Sequence, residues 1–256
     1  GDVYKRQVMT LHFSTSEWIM LVAGAFCCGL SKGGFGGFGL ITVLLMAMVL
    51  PPKESTGTVL PLLIAADLMA IGGFRRHVDW REFRGLLPST FFGLLAGWFL
   101  MARIPDSRFG PVLGWMILAM MALVVWQRLD RRVIGAVMHH PLLSTFSGFS
   151  AGVSTMMANA GGPAMTFHLL TKRFDKMAFV GTSAWFFFVI NLTKVPLSLN
   201  LGLMSRSSIL LNLMLLPSIV LGFITGKTLL GKVSQKPFEW LVVLMAIASA
   251  IKLILS

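Results

Sequence analysis

Apolar residues along this chain come in long runs, and the charged residues are confined to the short gaps between them. The runs cover residues 17–50, 55–74, 85–102, 110–127, 142–171, 177–199, 207–230 and 237–255. A helix that spans a hydrocarbon core ~30 Å thick needs roughly 17–25 apolar residues, and six of the runs suit one crossing. Runs 17–50 and 142–171, with 34 and 30 residues, do not. At ~1.5 Å per residue an unbroken helix over the first would be about 50 Å long. Each long run carries a breaker near its middle. The first has Ser31-Lys32-Gly33-Gly34-Phe35-Gly36-Gly37-Phe38-Gly39, and the second has Asn159-Ala160-Gly161-Gly162-Pro163. Glycine loses backbone entropy in a helix, while proline lacks a donor and clashes with the preceding turn. The pattern predicts an all-α polytopic membrane protein in which both long runs are broken into half-helices at membrane depth.

The two long runs head two copies of one unit. A shift of 124 residues aligns Gly24 with Gly148, Gly37 with Gly161, Gly57-Thr58 with Gly181-Thr182, and Asp67 with Asn191. Further on the shift becomes 129: Pro88, Gly93 and Gly97 match Pro217, Gly222 and Gly226, and Phe109 matches Phe238. The slip falls in a loop, where insertions are cheap. The expected organisation is one membrane domain with repeats over residues 9–136 and 137–256. Each repeat has a broken first helix, hairpin-like and re-entrant, and then three transmembrane helices. Residues 1–8 do not resemble the rest of the chain, and Met9 opens a plausible start, so the first eight are read as a scar outside the fold.

Charge then chooses between topologies. With the doubtful N-terminus and two intramembrane lysines set aside, 18 basic residues remain. If each long run crosses once, they divide nine against nine, and the positive-inside rule has nothing to act on. If each folds back, 13 lie on the side of Arg75, Arg76, Arg81, Arg84, Lys172 and Lys227. Five lie opposite: Lys53, Arg103, Arg108, Arg206 and Lys252. The second division is a normal bias. Three crossings per unit also make the copies inverted, as in many transporters.

Composition agrees with a lipid solvent. Hydrophobic residues make up 55% and charged residues 12%, with mean hydropathy +0.79, against about 25% charged in soluble domains. The net charge of +12 sits in loops, where it sets topology and meets anionic headgroups, so no nucleic-acid partner is implied. Cys27 and Cys28 are adjacent in an apolar run and read as packing residues. His139-His140 read as interfacial residues. No nucleophile, metal, P-loop or dinucleotide motif is present, so neither an enzyme nor a cofactor or metal is expected.

Three ionisable residues lie inside apolar runs: Lys32, Asp67 and Lys194. Charge at that depth is costly and usually faces a cavity. Their sum of +1 suits an anion. Half-helices that begin inside the membrane add free N–H groups and a favourable dipole. Glycines let an oxyanion approach those donors. Gly33, Gly34, Gly36 and Gly37 are therefore expected to face Asn159, Gly161 and Gly162 across a central site. Gly93/Gly97 and Gly222/Gly226 fit close helix packing better.

These features resemble the TauE/SafE family of membrane permeases, the sulfite exporters. The resemblance covers about residues 22–255. It rests on the glycine-rich stretch at Gly29–Gly39, Pro61-x5-Asp67, Arg75-Arg76-x2-Asp79-Trp80, Pro88-x4-Gly93-x3-Gly97, Asn159–Pro163 and Asn191-x2-Lys194-x-Pro196. It implies ion-coupled transport of sulfite, sulfonates, sulfoacetate or related anions, in a multi-pass protein of the bacterial inner membrane. A homodimer is compatible with it. On this reading Lys32, Lys194 and the glycine-lined breaks hold the anion and Asn159 and Asn191 donate hydrogen bonds. Asp67 couples to protons or orients a lysine. Phe35, Phe38 and Phe186–Phe188 hint at an organic sulfonate. A passive anion channel and a permease for another small organic anion are the alternatives.

Overall fold

A computed structural model describes residues 13–129, 142–171 and 176–230, together with 251 and 254. All of the eighth run at 237–255 except residues 251 and 254, the first eight residues, His139-His140, Phe238 and the basic residues Arg131, Arg132, Lys172, Arg173, Lys232, Lys236 and Lys252 lie outside the described residues.

All elements among the described residues are helical. Helix α1 (Thr15–Lys32) begins at a capping box. The Ser14 hydroxyl accepts from the Glu17 amide at 3.3 Å, and the Glu17 carboxylate accepts from the Ser14 amide at 2.7 Å. Next come α2 (Phe38–Val49), α3 (Pro52–Thr58), α4 (Leu60–Phe74), a 3-10 turn (Arg75–His77) and α5 (Trp80–Arg103). Asp79 caps α5 by accepting from the amides of Arg81 and Glu82. The chain continues through α6 (Asp106–Leu129), α7 (Leu142–Ala158), α8 (Gly162–Thr171), α9 (Lys176–Asn200) and α10 (Arg206–Leu229). Four helical segments, Pro52–Phe74, Trp80–Arg103, Met177–Asn200 and Arg206–Leu229, are long and apolar enough to cross a membrane.

Both long runs break where glycine and proline predict. In the first, Gly34 takes φ 128°. The Phe35 amide donates to the Leu30 carbonyl at 3.2 Å and the Gly34 amide to Ser31 at 3.3 Å. That paired arrangement ends a helix by satisfying its last carbonyls. Lys32 is consequently the last residue of α1 rather than part of the break. In the second run Asn159, at φ 50°, takes the left-handed position. The loop there is one residue wider, with the Ala160 amide reaching back to the Ser154 carbonyl at 3.2 Å. After the first break α2 returns along α1: the Thr42 hydroxyl donates to the Gly24 carbonyl at 3.0 Å, and Gly39 faces the Ser31 side chain.

The two halves of the chain are interlocked. Helix α1 packs on α10 and α7 packs on α5, in both cases through glycine. A Cβ on Gly29 would fall on the backbone of Ile219 and Phe223, and one on Gly152 would fall on that of Thr90 and Leu94. The Gly222 contact with Phe26 recurs as Gly93 with Phe149. Gly33 against Gly226 recurs as Gly97 against Met156. Over α1 and α7 these contacts relate residues 123 apart, not the 124 read from Gly24 and Gly148; the wider second turn supplies the extra residue. Between the interlocked pairs, α4 packs against α9.

The turns gather at two ends. The Lys53 ammonium donates to the Ile104 carbonyl at 2.9 Å and pairs with Asp106 at 3.0 Å, and Leu203 covers Gly57. The start of α3, the α5–α6 turn and the α9–α10 turn therefore share one end. At the other, Gly181 lies under the Phe74 and His77 carbonyls, and Gly73 faces the Lys227 side chain. The α4–α5 turn, the start of α9 and the end of α10 meet there.

Candidate functional site

Helices α4 and α9 bring Asp67 and Asn191 together, the two residues that the repeat alignment pairs. The Asn191 amide nitrogen donates to Asp67 Oδ2 at 2.7 Å. From the end of α1 the Lys32 ammonium meets Asp67 Oδ1 at 2.6 Å. One turn along α9, Lys194 donates to the side-chain oxygens of Asn159 and, at 3.5 Å, Asn191. Asn159 donates in turn to the Thr56 carbonyl at 2.9 Å. The network thus runs from Lys32 through Asp67, Asn191, Lys194 and Asn159 to the backbone of α3. Asp67 is 0% exposed, and Asn191 and Lys194 1% each. Burying this much charge is tolerable only because each group is paired.

A partly open cavity lies against this network. Lys32, Gly34 and Gly36 line it from the first break and Asn159 and Gly162 from the second. Helix α9 contributes a stripe at four-residue spacing: Phe179, Ser183, Phe187 and Asn191. The hydroxyls of Ser31, Thr155 and Thr166 add further polar groups. The Lys32 ammonium stands 4.3 Å from the centre of the Phe187 ring, a cation–π contact. The cavity thus joins an ammonium, hydroxyls and amides to aromatic and aliphatic walls.

Of the residues expected at a site, Lys32, Gly34, Gly36, Asn159, Gly162 and Asn191 border the cavity. Gly33, Gly37, Gly161, Asp67 and Lys194 are not in its lining. Gly33 has the α10 backbone where a Cβ would stand, and Gly161 has the Thr155 side chain. Gly36 and Gly162 have open space at that position. Gly93, Gly97, Gly222 and Gly226 sit at helix contacts, as their spacing implied. Sequence reasoning named Asn191 and Phe187 but passed over the Thr56 carbonyl and the rest of the stripe on α9, Phe179 and Ser183. The stripe was readable as an i, i+4 series ending one turn before Lys194.

The cavity is one-sided. Phe179, Val180 and Ser183 line it and are partly exposed, toward the end shared by Arg76 and Lys227. The residues aligned with them 124 positions earlier are Ser55, Thr56 and Val59, exposed by 2%, 3% and 1%. Among the described residues the aligned positions on the opposite side are therefore buried.

Apolar helices of membrane-crossing length, enclosing a buried network of lysines, carboxylate and amides beside a one-sided cavity, define a multi-pass membrane protein of the transporter class. The profile described as sulfite exporter TauE/SafE matches residues 21–253, and the chain belongs to that family. Comparison with curated proteins and with solved structures gave no match.

Proposed function

We propose that this protein is a secondary transporter that carries a sulfur-containing anion, such as sulfite, a sulfonate or sulfoacetate, across a bacterial inner membrane. The observation that carries the reading is the one-sided cavity ending on the Lys32–Asp67–Asn191–Lys194 network. The anion sits against Lys32 and the open faces of Gly36 and Gly162. The second amide hydrogens of Asn159 and Asn191 reach it. Lys194 holds both asparagine oxygens, keeping those amides oriented, and adds positive potential.

Transport proceeds by alternating access between two inverted repeats, residues 9–136 and 137–256, whose broken first helices are re-entrant. Three observations support this. Helix contacts recur with the halves exchanged, as at Gly29 with Ile219 and Gly152 with Thr90. Asp67 and its repeat counterpart Asn191 touch one another, as residues on a two-fold axis must. Among the described loops, those of Lys53 and Arg206 gather at one end and those of Arg76 and Lys227 at the other, a grouping compatible with the 13-to-5 division, and on this reading the cavity faces the cytoplasm. In the opposite state the repeats exchange conformations, and Ser55, Thr56 and Val59 line a cavity to the outside.

Uptake of radiolabelled sulfite and taurine into proteoliposomes tests the reading. Lys194→Ala should abolish transport while expression and monodispersity survive. Wild-type rates in that variant would remove the site assignment.

A further inference from the structure

Lys32 stands between two anion positions. One side of its ammonium borders the cavity, and the other meets Asp67, which the cavity does not reach. Among the described residues Lys32 is all that Asp67 Oδ1 has; Oδ2 is held by Asn191. In this state the carboxylate occupies the cation that an entering anion needs. Resting on the transporter reading above, we infer that anion binding is a charge exchange: the substrate draws Lys32 away from Asp67, which opens Oδ1 to the cavity, and Oδ1 takes one proton from solvent there.

The balance is simple. Before binding, Lys32 carries +1 and Asp67 −1. Afterwards Lys32 still carries +1, the monoanion −1, and Asp67 is a neutral acid donating or accepting at Asn191. The local charge does not change. An anion entering without the proton would strand a carboxylate with no solvent exposure and one hydrogen bond, the arrangement that buried sites avoid. The ionisable groups that face Asp67 are Lys32 and Cys28 from α1 and Lys194 from α9. From α10, Lys227 reaches only the Gly73 end of α4, and Arg76 and His77 lie past that end. Among the described residues this set holds no second carboxylate, and Lys194 is spent as a donor to the Asn159 and Asn191 oxygens, so the exchange assigns the proton to Asp67. Each monovalent anion then moves with one proton, without net charge.

The test uses ethanesulfonate and thiosulfate, ions that hold no proton of their own near neutral pH, so any proton taken up belongs to the protein. Purified protein in weak buffer is titrated with each ion, with binding followed by calorimetry and proton uptake by a pH dye. Wild type should take up about one proton per bound ethanesulfonate, and its affinity should fall about tenfold per pH unit as pH rises, the slope of a one-proton linkage. Asp67→Asn should bind without proton uptake and lose the pH slope. Binding by wild type without proton uptake overturns the exchange and leaves the transporter reading standing. Uptake that persists in Asp67→Asn overturns the assignment to Asp67. If neither ion binds, the transporter reading fails and the exchange fails with it.

Discussion

Asn159 joins backbone geometry to chemistry in one residue. Its positive φ ends α7, and its side chain links Lys194 to the Thr56 carbonyl. The two contributions can be separated. Asn159→Gly keeps the left-handed turn and should fold with a near-native Tm, yet lose transport because Lys194 is released. Asn159→Ala should lose transport and also stability, by about 1 kcal/mol for a Cβ in that conformation. Equal Tm for the two would remove the backbone part of this account. The Lys32–Asp67 pair gives a second prediction. Lys32→Met should destabilise the protein, and more so as pH rises, because Asp67 loses its cation and must either take a proton or stay charged in a buried site. Lys32→Met/Asp67→Leu should recover much of that loss, read as unfolding in detergent, while remaining inactive.

At the scale of elements, glycines of one composition serve two ends. Gly36 and Gly162 face open space in the cavity, whereas Gly29, Gly93, Gly152 and Gly222 face backbone. Alanine at Gly36 should leave Tm unchanged and weaken anion binding. Alanine at Gly29 or Gly222 should lower stability by about 1–3 kcal/mol, the cost of overpacking a tight contact. Thermal melts and anion titrations on wild type and the three variants check both. This division marks how far the sequence could be read. The breaks at Gly34 and Asn159 were legible because glycine and proline act locally on the backbone. The sequence aligns Asp67 with Asn191, and the fold brings these two side chains into contact. What opposes Gly33 was not, because its neighbour Gly226 is contributed by a helix far along the chain. A glycine against backbone and a glycine against a cavity have the same letter.

For the whole molecule, the placement of loops at two ends makes a topology prediction. Cysteine at Lys53 or Arg206 should react with an impermeant maleimide applied to intact cells. Cysteine at Arg81 or Lys227 should react only after permeabilisation. Single broken crossings would instead put Lys53 and Lys227 on one side. Cysteines at Val180 and Val59 extend this to the transport cycle. Val180 should label from the cytoplasm in this state, and Val59 should become reactive from outside only during turnover. The charge count expects this grouping of the loops, and the labelling tests it. The count says nothing of the difference in burial between Val180 and Val59, which depends on packing in three dimensions.

The interlock of α1 with α10 and of α7 with α5 also bears on how the protein is made. Helix α1 leaves the ribosome long before α10 exists, so its glycine face waits in the bilayer with its eventual neighbour unsynthesised. A chain stopped after α6 would hold Lys32 and Asp67 without Asn191 or the α10 surface. Such a fragment should be cleared by membrane proteases, while supplying the missing half as a second polypeptide should rescue it. Assembly is then completed by the last helices to arrive, and quality control falls at the end of synthesis.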